Sequence, residues 1–348
     1  MVGRAVCGVR RGGRQAHLVA QHPEAFLHAH GLAAAGEAAT WTALTGGVSS
    51  EIWRVDLPGR SLCVKRALPR LRVSDVWEAP LSRNAYEWKW LLFAAEQEPH
   101  SVPRPLAHDD AAGVFAMDFL PSERYPLWKA QLLTGEVDPG FAAAVGARLA
   151  RLHNASAARP ALAGEFDSLE NFRALRLEPY LLATAARHPE VATQLRALAA
   201  STEQRPIALV HGDVSPKNIL AGPDGPVFLD AECAWFGDPA FDIAFCLNHL
   251  MLKALVLPGC VAALRESFDG FVATYLEAAS FEPRQALEGR AAALLPGLML
   301  ARIDGKSPVE YLVGRAGLQE RVRDYARRRL LHPQNGLRAV AGEWFMPA

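Results

Sequence analysis

Alternating apolar and polar positions characterise the first part of the chain. Short runs of this pattern predict β-strands at residues 41–44, 52–57, 61–66 and 114–119. Turn sequences at Gly46-Gly47 and Pro58-Gly59 separate the first three runs, as is typical of a small antiparallel sheet. A helical spacing of apolar residues predicts helices at 22–35 and 81–95. A β-rich region with one prominent helix therefore precedes residue 120.

Alanine-rich segments that favour helix dominate the rest of the chain. They predict helices at residues 139–158, 172–187, 240–257, 261–279 and 284–302. One β-like interruption at 207–230 consists of two short apolar runs around a polar loop. These patterns predict an α+β protein of two lobes. We expect a disordered tail at 1–20, an amino-terminal lobe at 21–120, a helical lobe at 121–335 and a carboxy-terminal tail at 336–348.

Composition narrows the classes of partner. Lys plus Arg and Asp plus Glu both number 37, so no net field draws the protein to nucleic acid or to an anionic membrane, and we expect neither partner. The five cysteines form no C-x-x-C pair, which indicates reduced thiols and a cytoplasmic location. No apolar segment has the length of a signal peptide or of a membrane span.

The segment with the strongest chemical content is His211-Gly212-Asp213, followed by Asn218 and, after a further apolar run, by Asp230. Apolar runs on both sides would hold the loop rigidly and bring the two carboxylates and the amide to one point. Oxygen ligands of this kind suit Mg²⁺ and phosphate chemistry. For any one of these residues a simple turn hydrogen bond is the alternative explanation. His211, Gly212, Asp213 and Asn218 stand at fixed spacings and Asp230 follows them, a combination that turn hydrogen bonds alone explain poorly.

This segment resembles the catalytic loop of the aminoglycoside phosphotransferase and choline kinase family, small-molecule relatives of the protein kinases. The continuation Gly237-Asp238-Pro239, with Asp242 three residues later, is also similar to that family. The resemblance implies a two-lobed protein-kinase-like fold with ATP and Mg²⁺ between the lobes. It implies transfer of the γ-phosphate of ATP to a hydroxyl of a small molecule, either a metabolite or an aminoglycoside-like antibiotic.

The resemblance also implies a role for each residue of the segment. Asp213 would face the acceptor hydroxyl as the catalytic residue, and Asn218 and Asp230 would bind the metal. Asp242 would be structural. Lys217 stands where many aminoglycoside enzymes have glycine, and its charge would offset that of the transferred phosphoryl group.

The first lobe offers the remaining parts of an ATP site in the expected order. Lys65 ends a predicted strand, where a kinase places the lysine that binds the α- and β-phosphates, and Glu87 in the next helix would pair with it. A solvated lysine is the alternative. Residues of two further segments are candidate nucleotide contacts: Gly46, Gly47, Ser49 and Ser50 as a phosphate-covering loop, and Met117, Asp118 and Leu120 as a hinge for adenine. An ordinary hairpin turn and a plain interdomain connector are their alternatives.

Two other functions remain open at this stage. One is a catalytically silent nucleotide-binding scaffold, which the presence of Lys65, Asp213, Asn218 and Asp230 disfavours. The other is a protein kinase, which the absence of D-F-G and A-P-E sequences disfavours. The acceptor cannot be identified from the sequence, because its pocket would be built from the helical lobe. Arg302, Asp304 and Lys306 are candidates for that pocket, with a solvated helix junction as the alternative.

Overall fold

The computed structural model describes residues 23–44, 50–68 and 82–346. The predicted phosphate-loop residues Gly46, Gly47 and Ser49, and the predicted tail at 1–20, lie outside these ranges. The described chain forms a β-rich amino-terminal lobe and a helical carboxy-terminal lobe, so the predicted α+β class is confirmed.

The amino-terminal lobe is built on a five-stranded antiparallel sheet with strand order β1-β2-β3-β5-β4. A short helix, α1 (Glu24–Ala29), precedes the sheet, and α2 (Arg83–Gln97) enters between β3 and β4. The strands are β1 (Thr40–Ala43), β2 (Ser50–Leu57), β3 (Arg60–Ala67), β4 (Pro105–Asp109) and β5 (Val114–Asp118). The sheet places Lys65 of β3 opposite Phe115 of β5.

The alternation in β2 explains how this sheet gains a core. Trp53, Val55 and Leu57 are buried on one face of β2 and pack with Phe26 and Leu27 of α1. Each of these side chains contributes roughly 1.5–3 kcal/mol when fully removed from water. Gly59 makes the turn to β3 with φ of 79°, a conformation that a residue with a Cβ rarely adopts. The sequence signals for strand and turn therefore agree with the fold.

The carboxy-terminal lobe is mainly helical. In chain order its helices are α3 (Trp128–Thr134), α4 (Pro139–Ala157), α5 (Leu162–Glu165), α6 (Leu169–Phe172), α7 (Ala183–Arg187), α8 (Ala192–Glu203), α9 (Ala240–Ala254), α10 (Val261–Ala278), α11 (Arg284–Asp304), α12 (Ala316–Leu331) and α13 (Leu337–Trp344). Helix α9 lies at the centre, packed against α10 and α11, and nearly all of its side chains are buried. The predicted helices at 139–158, 240–257, 261–279 and 284–302 correspond to α4, α9, α10 and α11.

Two small hairpin-like sheets form the interruption predicted at 207–230. Strands β6 (Ala208–Val210) and β9 (Trp235–Gly237) pair with each other, as do β7 (Ile219–Gly222) and β8 (Gly225–Phe228). The polar loop that begins at His211 connects β6 to β7. Because β6 and Ile219 at the start of β7 are buried, both ends of the loop are fixed by the core.

Three details differ from the sequence analysis. Strand β4 was not predicted, because all its residues are partly exposed and show no alternation. The helix predicted at 172–187 is π-helical over Arg173–Leu182 and α-helical afterwards. The range predicted as a tail, 336–348, contains α13, whose Leu337, Val340 and Trp344 are buried in the main core. Apolar side chains at helical spacing explain why this end packs rather than extends.

No single helix in the described part of the chain is long and apolar enough to cross a membrane, although the bent pair formed by α9 and the following Pro258–Ala278 passes the same test of length and composition.

Candidate active site

The loop between β6 and β7 depends on a glycine at its start. Gly212 has φ of 76°, and a Cβ at this position would lie 2.7 Å from the carbonyl oxygen of Cys233. Its backbone thus passes directly against the segment that follows β8. This close approach brings Asp213 next to the acidic end of β8.

Asp242, in the first turn of α9, anchors the backbone of the same loop. Its two carboxylate oxygens accept hydrogen bonds from the backbone N–H groups of His211 (2.7 Å) and Gly212 (2.8 Å). His153 lies 3.3 Å from the same carboxylate and also contacts the hydroxyl of Tyr275. Asp242 is fully buried, and these residues are its hydrogen-bond partners within the described part of the chain. The contacts give Asp242 the structural position that the sequence indicated.

The two oxygens of Asp213 have different surroundings. Oδ2 contacts Arg176 (2.8 Å) and Lys217 (3.0 Å) and accepts a hydrogen bond from the Asn218 amide (2.7 Å). Oδ1 is buried and has no partner among the described residues. Burial by itself favours the neutral acid, but Arg176 and Lys217 outweigh burial and lower the pKa of Asp213 below its ordinary value. The carboxylate is therefore ionised, with one oxygen left to accept a proton or a hydrogen bond.

Arg176 is a site residue that the sequence analysis missed. It comes from the π-helical segment, donates through Nε to the carbonyl of Gly212 (2.6 Å), and is itself buried. Burial disfavours its charge, yet Asp213 raises the pKa of Arg176 further above its ordinary value. A basic residue within an otherwise apolar helical face was the only indication in the sequence, because its partner lies 37 residues further along the chain.

Lys65 lies between two carboxylates of different lobes. Its ammonium is 2.7 Å from Glu87 of α2 and also contacts Asp230, which follows β8. Lys65 and Glu87 are both only 2% exposed. Burial opposes the charge on Lys65, but Asp230 and Glu87 outweigh it and raise the lysine pKa. Burial raises the pKa of Glu87 to about 7, and the charge of Lys65 opposes that rise.

Asp230 has an unusual backbone. Its φ of 66° makes it the one non-glycine residue with positive φ in the described chain. Aspartate tolerates this region better than most residues, and such outliers concentrate at functional sites. The side chain remains 28% exposed. Although burial raises the pKa of Asp230, Lys65 and Lys217 hold it well below its ordinary value.

Asn218 and Asp230 suit a hard divalent cation. The Asn218 amide uses its Nδ2 to donate to Asp213, so its Oδ1 is the atom available to a cation. Together with a carboxylate oxygen of Asp230 this gives a donor set of oxygens, as Mg²⁺ requires. Within the described ranges no cluster of three or more His, Cys, Asp or Glu side chains is arranged to hold a metal. A cation here would therefore need further oxygens from a bound ligand or water.

The other predicted nucleotide contacts are placed as follows. Ser50 is buried at the start of β2, opposite Ala67 of β3. Met117 and Asp118 end β5, and Leu120 follows in the connection between the lobes. The Asp118 N–H donates to the carbonyl of Arg104 and is not free for adenine.

The three residues proposed for the acceptor pocket, Arg302, Asp304 and Lys306, have different surroundings. Asp304 binds Arg323 (2.8 Å) and His188 (2.9 Å) at the surface of the helical lobe, and Lys306 is exposed. Arg302 is different, since it is buried and donates to the hydroxyl of Tyr180 (3.1 Å) and to Ser307. Only Arg302 of the three thus points into the lobe.

Comparison with known proteins agrees with this arrangement. The model of the phosphotransferase enzyme family (APH) matches residues 40–292, which is well over half of the 348 residues. The chain belongs to this family. The match includes every predicted site residue, from Gly46 to Asp230.

Individual relatives of this phosphotransferase-family chain are distant. Methylthioribose kinase of Pectobacterium atrosepticum is 28% identical over 233 residues, covering 60% of this chain and 58% of that enzyme. The enzyme of the same name from Yersinia pseudotuberculosis is 26% identical over 239 residues, covering 60% of this chain and 56% of that enzyme. The chain therefore spans less than two thirds of the length of these curated relatives.

A solved structure supports the fold. An amicoumacin kinase, determined with AMP-PNP and Ca²⁺, superposes with a TM-score of 0.55 at 16% identity, covering 84% of this chain and 88% of that one. At this identity the likeness shows the fold alone. It confirms the two-lobed kinase-like architecture of the phosphotransferase family that the catalytic-loop sequence predicted.

Proposed function

We propose that the protein is an ATP-dependent phosphotransferase that moves the γ-phosphate to a hydroxyl of a small molecule. The observation that carries this proposal is the contact of Lys65 with Asp230, within a cluster that also contains Asp213 and Asn218. A cation that binds phosphate, two candidate metal ligands and a proton acceptor are thereby assembled between the lobes. Such an arrangement supports in-line phosphoryl transfer, in which positioning and charge neutralisation provide most of the catalysis.

Each residue has a distinct part in the proposed reaction. Lys65, held by Glu87, orients the nucleotide phosphates. Asp213 accepts the proton of the acceptor hydroxyl at Oδ1, the oxygen that has no hydrogen-bond partner among the described residues. Lys217, with a side chain 42% exposed, offers its charge to the phosphoryl group in transfer. Asn218 and Asp230 hold Mg²⁺, which when bound offsets the negative charge of the phosphate oxygens.

ATP and Mg²⁺ are part of the proposal rather than of the structure. Membership of the phosphotransferase family supports ATP, and the oxygen donors at Asn218 and Asp230 support a hard cation. The related amicoumacin kinase was solved with an ATP analogue and a divalent cation, Ca²⁺. The nucleotide contacts assigned to Gly46, Gly47, Ser49, Ser50, Met117, Asp118 and Leu120, the boundaries of the lobes and the cytoplasmic location remain predictions.

One experiment separates this function from its two rivals. Nucleotide consumption is measured with Mg·ATP over a panel of sugars, amino alcohols, aminoglycosides and macrolides, and in parallel over a mixture of proteins. A phosphotransferase for small molecules consumes ATP only with members of the first panel. Phosphate incorporation into protein alone would identify a protein kinase. Binding of Mg·ATP without transfer to any acceptor would identify a silent scaffold.

A further inference from the structure

One face of α9 leads away from the catalytic loop. Asp242, Phe245, His249 and Lys253 follow one another at intervals of three or four residues, so they lie on the same side of the helix. Asp242 holds the loop that carries Asp213. At a rise of 1.5 Å per residue, Lys253 lies about 16 Å further along the helix axis. The polar residues of this face therefore form a path from the catalytic loop into the helical lobe.

Two cations near this face are buried without a carboxylate partner. Lys253 is 1% exposed and lies 5.0 Å above the ring of Tyr311, while Arg302 is 7% exposed and donates only to uncharged oxygens. Neither forms an ion pair with any residue in the ranges 23–44, 50–68 and 82–346. A buried charge without a counterion is costly, and a ligand that supplies the opposite charge removes part of that cost.

Unpartnered polar atoms lie on Arg302 itself, on residues near the two cations and on the neighbour of His249 along α9. In the described part of the chain they are Nε of Arg302, Nε2 of His249, Oδ1 of Asn248 and the hydroxyl of Tyr311. Asn248 is fully buried and His249 is 5% exposed, so water does not satisfy their side chains. Buried polar groups are bonded in most proteins, and a set of orphans in one place indicates a missing partner. Most of these atoms are donors, and Asn248 adds one acceptor.

The electrostatic neighbours of these residues are mainly cationic. Burial first, and then the charges of Arg302, Lys253, Lys217 and Lys129, lower the pKa of His249 well below its ordinary value. Burial first, then Lys129 and less strongly Arg302, lower the pKa of Lys253 to about 7, while Glu310 opposes them. Glu310 is bound to Lys129 at 2.5 Å and is largely exposed. The buried end of the path therefore carries excess positive charge.

Aromatic rings connect the basic cluster, which consists of Lys253, Arg302 and His249, to the carboxylate of Asp213. Arg176, which binds Asp213, lies over the rings of Tyr180 (5.7 Å) and Phe245 (5.6 Å). The guanidinium of Arg302 also lies over the ring of Tyr180, at 5.6 Å from its centre. Phe245 contacts His249 at 5.8 Å. A molecule with its hydroxyl at Asp213 and its far end at Lys253 would lie along these rings.

From these contacts we propose that Lys253, Arg302 and His249 bind an anionic group of the phosphoryl acceptor. The acceptor is then a hydroxylated carboxylate or phosphate monoester rather than a neutral sugar or a cationic antibiotic. Asn248 and Tyr311 bind hydroxyls of the same molecule. The inference rests on the proposed function, since it assigns the substrate class of that site.

The test uses acceptors in matched sets that share a hydroxyl-bearing chain long enough to reach from Asp213 to Lys253 and differ in the far end, such as 10-hydroxydecanamide, 10-hydroxydecanoate and 10-hydroxydecyl phosphate. Transfer from Mg·ATP is measured with the wild type, Lys253→Met, Arg302→Gln and the control Lys89→Met. Lys89 is exposed on α2 and donates to the carbonyl of Glu165, so its replacement removes one positive charge outside the cluster of Lys253, Arg302 and His249. Binding of the same compounds is measured by calorimetry, which does not depend on turnover.

We expect an anionic member to exceed its neutral counterpart at least tenfold in kcat/KM. Lys253→Met and Arg302→Gln should remove most of that preference through KM, and Lys89→Met should retain it. The carboxylate and phosphate arms show which anion fits. Equal use of neutral and anionic members, or a preference unchanged in Lys253→Met, overturns the inference and leaves the phosphotransferase function intact.

Calorimetry decides the case in which no member of the sets is phosphorylated. Anions that bind the wild type at least tenfold more tightly than Lys253→Met support the site, and equal binding overturns it. Failure of the proposed function is recognised separately, because the wild type would then either not bind Mg·ATP or bind it without transferring phosphate to any acceptor of the wider panel.

Discussion

The ammonium of Lys65 contacts the carboxylate of Asp230, so that β3 of the amino-terminal lobe and the residue after β8 of the other lobe meet in one ion pair. Glu87 binds the same ammonium from α2 at 2.7 Å. A single lysine thus sets the relative position of two lobes and a helix, and the role proposed for it in binding phosphate depends on both carboxylates.

Lys65→Met is expected to abolish most turnover and also to destabilise the fold. The substitution leaves Glu87 buried without a cation, a defect that typically costs about 3–5 kcal/mol. The double variant Lys65→Met/Glu87→Gln removes the unpaired charge and should regain much of that stability without regaining activity. Urea denaturation and steady-state transfer measured on both variants check this. Turnover at the wild-type level in the stable double variant would remove Lys65 from the phosphate site.

Asp230→Asn is expected to weaken Mg·ATP binding at least tenfold while the fold is retained. Asparagine tolerates the positive φ of this position, so the change removes the charge without straining the backbone. Asp230→Ala should add a backbone penalty to the same loss of binding. Calorimetric titration with ATP, with and without Mg²⁺, measures the effect. If the Asn variant binds Mg·ATP like the wild type, the metal is held elsewhere.

Asp213→Asn should lower kcat by about 10² to 10⁴, the usual contribution of a general base. Nucleotide affinity should change little, because the metal is assigned to Asn218 and Asp230. Loss of the charge also weakens the contacts of Oδ2 with Arg176 and Lys217, so a moderate loss of stability accompanies the change. Single-turnover kinetics and nucleotide titration separate these effects. A folded variant that turns over within a few-fold of the wild type would contradict the catalytic assignment.

Much of the architecture could be predicted because it depends on local pattern. Alternation in β2 and the apolar spacing of α9 are visible without a structure. The pairing of Lys65 with Glu87 was predicted from the order in which a kinase places such a lysine and glutamate, and the structure shows their contact. Arg176 could not be assigned, because its pairing with Asp213 depends on how a π-helical segment packs on the loop. Lys253 lies in the last turn of α9, where a cation is common, and only the structure shows that it is buried without a carboxylate partner.

Asp242→Asn tests the support of the catalytic loop. An asparagine keeps one acceptor but turns an amide N–H toward one of the backbone donors of His211 and Gly212. Losing a bond to a charged acceptor costs about 1.5–3 kcal/mol, and the loop should open more often. Hydrogen exchange at these two amides should accelerate, and kcat should fall. Asp138→Asn is the control, since Asp138 caps α4 at an exposed position. Unchanged exchange in Asp242→Asn would contradict the anchoring role.

The buried Lys253 predicts how stability depends on pH. Its pKa falls from 10.5 in an ordinary setting to about 7 in the folded chain, chiefly through burial. Between these values the unfolded chain binds more protons at this residue than the folded chain does. Stability contributed by Lys253 therefore rises with pH above about 7, by at most about 1.4 kcal/mol per pH unit. Below about 7 the lysine is charged in both states, and its full burial penalty remains.

Lys253→Met removes the titrating amine, so this part of the dependence of stability on pH should disappear in the variant. The quantity to measure is the free energy of unfolding of the wild type minus that of Lys253→Met, between about pH 7 and about pH 9. Cysteines of the unfolded chain, with a pKa of about 8.5, ionise in both proteins alike, so their effect cancels in this difference. We expect Lys253→Met to exceed the wild type in stability by the largest amount at pH 7. This excess should shrink as the pH rises. An anion bound at the basic cluster should make the wild type more stable than Lys253→Met at pH 7, since the anion supplies the missing counterion. A difference that stays constant across the range would show that Lys253 has an ordinary pKa in the folded chain.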